Sequence, residues 1–497
     1  MYLVAPTQHF DVLIVGAGIS GIGSAYHLRQ QCPDKSFAIL ESQSTFGGTW
    51  TTHKYPGLRS DSDLYTFGYR FKPWTGAPIA TADKILTYLR EVIDENDLAP
   101  HIRYNHTIQT AEWLTDSARW TLTVTRTDTG ETYRYTANFL WMCQGYYRHS
   151  QGYTPEWPGM ADFKGKIVHP QNWPQDLDYT DKNVVVIGSG ATAATLVPAI
   201  ADKVAHVTML QRSPTYFNPS RNAVELADTL REIQVDEATI HQITRKKILY
   251  DQAMFTRQAK SHPDQVKKML LDGVRAYLGP DYDVARHFEP RYKPWSQRVA
   301  FVPDGDLFRG IKSGKASVVT DQIDRFTKNG IALKSGDDLK ADIIVTATGF
   351  DLCPLGDIEF SVDGRPFNWA DSIGYMGAMF TGAPNMVWVC GYFRASWTLR
   401  TELLADFTCG LLNHMTVSGS TSVTVELRDE DSGMSILPWA DTSDFNPGYV
   451  SRGAALMPKR GSKPEWQLSQ DYWTEKDRFQ AVDFTDPAFV YRQPDKS

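Results

Sequence analysis

The sequence predicts an α/β protein with two Rossmann-like dinucleotide-binding domains, the second interrupted by a helical insertion. Three stretches carry that reading. An apolar run at residues 10–15 leads into Gly16-Ala17-Gly18-Ile19-Ser20-Gly21 and then a helical pattern to about residue 31. A second apolar run at 183–187 leads into Gly188-Ser189-Gly190-Ala191-Thr192-Ala193 in the same way. From about 221 to 290 the pattern changes to polar helices with no glycine loop, including the basic clusters Arg245-Lys246-Lys247 and Lys267-Lys268. Those charges read as a solvated helical cover.

Composition bounds the function. A chain of 497 residues is too long for one core and implies two or three domains. The net charge of −7 provides no general attraction for nucleic acid. The cysteines Cys32, Cys143, Cys353, Cys390 and Cys409 are scattered and form no C-x-x-C pair. A zinc site and a dithiol redox centre are therefore disfavoured, and a reducing compartment fits. The first ten residues lack the basic region and apolar core of a signal peptide. No apolar run approaches the ~18–20 residues that cross a bilayer. The expectation is a cytoplasmic protein without a transmembrane segment. No stretch of the sequence specifies an oligomeric state.

In the first loop the glycines have separate duties. Gly16 allows the tight turn, Gly18 lets a pyrophosphate reach the backbone, and Gly21 lets helix and strand pack closely. The helix start after the loop presents free N–H groups to the phosphates. The next strand, at 36–40, ends at Glu41, about 20 residues beyond Gly21, where an acid holds a ribose. Residues 80–100 read as a helix with Ile85, Leu86, Leu89, Val92 and Ile93 on one face, and strands follow near 101–112, 118–126 and 132–140.

The second loop is G-x-G-x-x-A. The strand after it, at 207–210, ends in Gln211-Arg212-Ser213, with Arg212 standing where the first domain has its acid. An arginine there suits a 2′-phosphate, so NADP is favoured over NAD. Strands resume and end at Ala347-Thr348-Gly349-Phe350, which marks the return to the first domain. A strand at 386–390 and a helix at 396–412 follow, and the final 80 or so residues read as irregular.

Two further patterns point to a family. Phe163, Gly165, His169, Trp173 and Pro174 fit F-x-G-x-x-x-H-x-x-x-W-P. Gly47, Gly48, Trp50, Tyr55, Pro56, Gly57 and Asp61 fit G-G-x-W-x-x-x-x-[FY]-P-G-x-x-x-D. By these the chain resembles the flavin-dependent Baeyer–Villiger monooxygenases. The segments 169–179 and 207–216 and the tail with Asn446-Pro447-Gly448-Tyr449 resemble the ethionamide-activating subgroup, so the likeness runs along nearly the whole chain. The resemblance implies FAD at the first loop and NADPH at the second. It places Gly16, Gly18, Ser20, Gly21, Glu41, Gly48, Thr49, Trp50, Asp61, Tyr65 and Ile108 at FAD. It places Arg59, Ser60, Gly188, Ser189, Gly190, Ala191, Thr192, Ala193, Arg212 and Ser213 at NADP. It makes Arg298 the active-site arginine, paired with Asp61, and finds Gln297 where the family commonly has lysine.

The implied organisation is an FAD domain at 1–150 and 351–497, the latter including the tail. The NADPH domain takes 151–220 and 291–350, and the insertion 221–290. The implied chemistry is oxygen insertion next to a ketone through a C4a-peroxyflavin, with sulfides also oxidised by the same peroxide. The partners are a small ketone or sulfide and O2. Two other readings share these features: a nitrogen- or sulfur-oxygenating flavin monooxygenase, and a flavin-bound redox or interaction protein without turnover. A disulfide reductase is disfavoured because no cysteine pair exists.

Overall fold

The computed structural model describes residues 7–493. Residues 1–6, on which part of the signal-peptide reading rests, lie outside them.

Two sheets organise the chain. The first holds nine strands, with Gln8–Val15 paired in parallel to Phe37–Leu40 on one side and to Thr132–Met142 on the other. Consecutive residues of these strands serve opposite faces. Val12 and Ile14 join one apolar cluster with Phe37 and Ile39, while Leu13 and Val15 join another with Ala38 and Leu40. That is why the run is apolar throughout rather than alternating. Arg119–Arg126 and His106–Leu114 extend the sheet antiparallel. Glu359–Val362, from the returning chain, adds in parallel to its edge, and Met386–Trp388 pairs with Thr132–Met142.

The second sheet is wholly parallel, in the order Ala316–Thr320, His206–Gln211, Asn183–Ile187, Ile343–Thr346, Lys166–Val168. The same sandwich pattern recurs, Val184 and Val186 facing one cluster and Val185 and Ile187 the other.

The insertion comprises Glu225–Glu232, Glu237–Ser261, Pro263–Leu278 and Val284–Phe288. Asp236 caps the longest helix by accepting from the Thr239 N–H at 3.0 Å. One expectation is corrected here. Lys246 and Lys247 are exposed, but Arg245 is 8 % exposed and points inward. It pairs with buried Glu402 at 2.9 Å and donates to the carbonyls of Tyr65, Thr66 and Gly68. The basic cluster therefore includes a bolt between the insertion and the first sheet's helices.

The tail is more regular than its sequence suggests. Ser422–Val425 pairs with Phe489–Arg492 and Ile436–Pro438 with Lys459–Gly461, and helices form at Gly448–Gly453 and Tyr472–Gln480. The fully buried Arg400 anchors it through Glu475 at 2.9 Å. Arg400 belongs to the helix Trp397–Ser418, six residues longer than its expected end. Among the described residues no helix is long and apolar enough to cross a membrane. All five cysteines are buried and free.

Candidate functional site

The first loop is a backbone cradle. Gly16 has φ +99°, and a Cβ on Gly21 would lie 1.8 Å from the Gly16 carbonyl oxygen. Gly18 and Gly48 face each other, a Cβ on Gly48 reaching 3.1 Å from the Gly18 Cα. The helix Ile19–Gln31 starts there with no side-chain cap, so its first N–H groups are free for an anion. Glu41 is buried and accepts from the N–H groups of Ala17 at 2.7 Å and Gln43 at 2.8 Å. It thus fastens the loop, a duty the spacing to a ribose did not announce. Ser20 is likewise buried and accepts from the Trp397 indole at 2.8 Å, tying the loop to the start of the long helix.

Thr49 and Trp50 open the short helix Thr49–Thr52, and Trp50 meets Phe67 edge-on at 5.7 Å. Ile108 sits in the core cluster with Leu13, Val15 and Leu40. Tyr65 is buried beneath the insertion, its hydroxyl accepting from Arg231 at 3.3 Å.

The turn at 59–62 presents Asp61. The Ser60 hydroxyl donates to the Ser62 carbonyl at 2.5 Å and accepts from the Ser62 N–H at 3.0 Å, so Ser60 is spent on shaping the turn. Arg59 pairs with Asp306 at 2.5 Å and reaches the Ala194 carbonyl. It was expected at NADP, and the structure gives its guanidinium a carboxylate of the protein itself. Gly57 packs on the helix Ala191–Ile200, where a Cβ would come 2.5 Å from that of Ala199.

Arg298 meets Asp61 as expected. Its Nε lies 2.6 Å from Oδ2 and one terminal nitrogen 2.9 Å from Oδ1, a two-point pair joining distant parts of the chain. Arg298 also donates to the Phe393 carbonyl at 2.9 Å and the Ser62 hydroxyl at 3.2 Å. Burial is the largest influence and works against its charge, but Asp61 together with Tyr449 and Tyr146 more than offsets it and holds the guanidinium pKa above its ordinary value. The side chain remains 37 % exposed.

The segment carrying Arg298 is held from the tail side. Trp295 adopts φ +66°, a strained conformation for a bulky residue. Its carbonyl accepts from Arg394 at 3.1 Å, and Arg394 pairs with Asp444 at 2.5 Å. The Asn446 N–H donates to the Ser296 carbonyl at 3.0 Å, and Gln297 donates to the Asn446 side chain at 3.3 Å. Gln297, at the position where the family commonly has lysine, thus serves the tail. Tyr146, Tyr147 and Tyr449 gather beside this segment, which the sequence reading did not single out as a group.

The second loop differs in being open. Gly188 has φ +135°, with a Cβ only 2.3 Å from the Ala347 carbonyl oxygen, whereas a Cβ on Gly190 would meet nothing within 4 Å. Gly190 is exposed, and the helix Ala191–Ile200 begins without a side-chain cap. Ala191 and Thr192 are half-buried, and Ala193 turns into the core. Ser189 bonds the Thr215 hydroxyl at 2.8 Å and donates to the Ser213 carbonyl at 3.2 Å. Arg212 and Ser213 are exposed, and among the described residues Arg212 has no carboxylate within ion-pair distance.

The motif at 163–174 fastens the linker between the sheets. Phe163 packs edge-on against Phe326, and a Cβ on Gly165 would lie 2.1 Å from the Asp342 carbonyl oxygen. His169 Nε2 donates to the Gly349 carbonyl at 3.1 Å, while Nδ1 accepts from the Gln171 N–H at 3.1 Å. Burial lowers its pKa, which keeps that neutral tautomer. Trp173 is buried against Tyr179, followed by half-buried Pro174. His169 therefore clamps the outgoing linker to the returning chain at Gly349.

Two uncapped glycine-loop helices, with an arginine–carboxylate pair lying between their domains, define a two-dinucleotide oxidoreductase. Comparison with known proteins narrows the class. Residues 14–75 match the NAD(P)-binding Rossmann-like domain model and residues 78–222 the flavin-binding monooxygenase-like model. The chain is 46 % identical over 468 residues to the FAD-containing monooxygenase EthA of Mycobacterium tuberculosis, covering 94 % of each chain. It is 42 % identical over 492 residues to the probable FAD-binding monooxygenase AlmA of Acinetobacter sp, covering 98 % and 97 %. Among solved structures it is similar to an oxidized steroid monooxygenase bound to NADP, with TM-score 0.76, 23 % identity and coverage of 98 % and 100 %. Cyclohexanone monooxygenase from Rhodococcus sp. Phi1 bound to NADP+ gives TM-score 0.75, 21 % identity and the same coverage. The chain belongs to the FAD-containing monooxygenase family.

Proposed function

We propose that this chain is an NADPH- and O2-dependent FAD monooxygenase that inserts one oxygen beside a ketone carbonyl, yielding an ester or lactone, and that it oxidises sulfides at the same site. The observation that carries this reading is the two-point Arg298–Asp61 pair, reachable from solvent and lying between the two nucleotide domains.

Both cofactors fit the residues present. The Gly16–Gly18–Gly48 cradle and the uncapped helix at Ile19 suit the pyrophosphate of FAD, with Glu41 holding the loop. The open Gly190 and exposed Arg212 suit NADPH, Arg212 taking the 2′-phosphate. When bound, these cofactors supply hydride transfer and oxygen activation. The chain supplies position, charge and dryness. Arg298 offers a fixed positive charge to the ketone oxygen as it becomes an oxyanion. Asp61 and the Phe393 carbonyl aim the guanidinium, so no reorientation is needed as charge develops. Tyr147 packs against Phe350 and Tyr146 against Phe393, giving one side of the site an aromatic lining.

The test is Arg298→Ala, assayed for NADPH oxidation and for ester with a simple ketone. The expected result is continued NADPH oxidation with ester reduced by at least about 10²–10³, the scale of losing an oxyanion donor. Ester at the normal rate would refute the assignment of Arg298. Sulfoxide without ester from the unaltered protein would favour a nitrogen- or sulfur-oxygenating enzyme. No NADPH consumption at all would favour a flavin-bound redox or interaction protein.

A further inference from the structure

The amino ends of the second sheet's strands carry charges that neither nucleotide loop uses. A cavity of about 570 Å³ lies there, lined by Lys164, Lys166, Lys182, Lys328 and Lys340. Its volume is that of a small-molecule site. Asp178 and Asp342 share the rim.

Backbone hydrogen bonds assemble the rim from separate stretches of chain. The Lys164 N–H donates to the Lys328 carbonyl at 3.1 Å, and the Lys166 N–H to the Asp342 carbonyl at 3.2 Å. The Asp342 N–H donates in turn to the Asn183 carbonyl at 2.8 Å, next to Lys182. The Ala341 N–H donates to the Asn329 carbonyl at 2.9 Å, which brings residues 340 and 328 to the same edge. Gly165 permits the approach of Lys164 and Lys166, since a Cβ there would lie 2.1 Å from the Asp342 carbonyl oxygen.

Both aspartates are committed to the backbone. Asp342 accepts from the Asn183 N–H at 2.8 Å and from its side-chain amide at 3.3 Å, and Asp178 accepts from the Thr180 N–H at 2.9 Å. The Asp178 carboxyl is held below its ordinary pKa by its hydrogen bonds to Thr180, and further by the charges of Lys182 and Lys166. Among the described residues none of the five lysines has a carboxylate within ion-pair distance. Lysines of the insertion do: Lys247 pairs with Asp251, Lys267 with Glu289 and Lys268 with Asp272. A chain of net charge −7 thus gathers five lysines against two aspartates round one concavity. Concave walls focus the field of such a group, and the ammonium groups repel one another unless an anion lies among them.

The cavity is separate from the dinucleotide loops, because ligands of such sheets bind outside the carboxyl ends of the strands. Lys166, Asn183 and Ile343 open their strands, whereas Gly188 and Gly349 follow the opposite ends. The strand Asn183–Ile187, at ~3.3 Å per residue, puts about 15 Å between this rim and the Gly188 loop.

We propose that the lysine-lined cavity is a further anion site, which binds a compact molecule carrying two or more phosphate groups. Lysine suits that ligand, because its three donors sit on a flexible stem and several can close on phosphate oxygens of different spacing. A single phosphate engages only part of a rim drawn from several stretches. The shared chemistry is that of a free polyphosphate or of the paired phosphates in a lipid head group, and the site stands independently of the oxidation reaction.

The experiment uses protein loaded with FAD and saturated with NADP, so that both nucleotide loops are occupied. Tripolyphosphate and orthophosphate are titrated separately by calorimetry. Sedimentation follows binding to phosphatidylcholine vesicles with and without cardiolipin, whose head group carries two phosphates. The expected result is tripolyphosphate bound at least about tenfold tighter than orthophosphate, weakening as salt rises. Lys182→Gln combined with Lys328→Gln should weaken it at least about tenfold, the scale of losing charged hydrogen bonds. The corresponding pair of arginine substitutions should keep most of the affinity, and Lys246→Gln, outside the cavity, should change nothing. All three lysines are exposed, so thermal unfolding should stay the same. Cardiolipin-dependent sedimentation that the glutamine variant loses, without tripolyphosphate binding, would support the site and assign its phosphates to a lipid surface. Binding of neither tripolyphosphate nor cardiolipin vesicles would overturn the proposal. So would equal binding of the two phosphates, or undiminished binding by the folded glutamine variant.

Discussion

Replacing Arg245 with methionine removes one half of the buried pair that joins the insertion to the helix Trp397–Ser418. Arg245 and Glu402 have side chains 10 % and 4 % exposed, and their atoms are 2.9 Å apart. Removing Arg245 also strands the carbonyls of Tyr65 and Gly68, each now bonded at 2.8 Å. Breaking such a pair from one side costs about 3–5 kcal/mol, because a buried charge is left uncompensated. With an unfolding entropy of about 2.1 cal/mol/K per residue, a chain of this size loses roughly 3–5 °C in Tm, or more if half the chain unfolds alone. The pH dependence identifies the cause. Burial raises the Glu402 pKa above 4.5, and Arg245 is the strongest group pulling it back down. Without Arg245 the carboxyl climbs further. A carboxyl with a raised folded pKa binds its proton more tightly in the folded protein, so stability falls as pH rises through the window above about 4.5. The variant's deficit is therefore small near pH 5 and larger at pH 8, read by thermal unfolding across that range. Adding Glu402→Gln should recover much of the loss at pH 8. A deficit that is independent of pH and unaffected by Glu402→Gln would refute this reasoning.

Other perturbations report on other parts of the molecule. Arg212→Ala should weaken NADPH roughly ten- to a hundredfold, the loss of a charged hydrogen bond, while changing NADH less than about twofold; equal shifts in titrations of both would remove Arg212 from the 2′-phosphate. Gly21→Ala places a Cβ 1.8 Å from a backbone oxygen and should prevent folding, whereas Gly190→Ala meets open space and should fold normally yet bind NADPH more weakly; circular dichroism and titration separate the two. Burial lowers His27, His53 and His241 to about 4. The unfolded chain then binds more protons than the folded one between about pH 6.5 and 4, so stability drops as pH falls through that window. His241→Asn should flatten the drop in urea midpoints.

Much of the fold was legible because parallel strands covered on both faces must be apolar throughout, and because glycine is needed where backbone turns left-handed, as at Gly16 and Gly188. The Arg298–Asp61 pair was legible through its motif setting, and the distances agree with it. What escaped was decided by tertiary packing. Arg245 looks like its lysine neighbours in sequence, and only helix rotation separates the buried position from the solvated ones. Arg59 gave no sign of Asp306, far along the chain, and Ser60 gave none of the turn it closes. Tail strands of three or four residues are too short to show a period, and the tyrosine group draws on two segments 300 residues apart, with no spacing to reveal it.

The central claim is that the chain places oxygen from O2 into a ketone. Its most direct test is turnover of a ketone with NADPH under ¹⁸O₂, followed by mass spectrometry of the organic product. The expected product is an ester or lactone carrying one labelled oxygen for each NADPH used in product formation. Unlabelled ester, or NADPH consumption that yields hydrogen peroxide and no labelled product from ketone or sulfide, would contradict it.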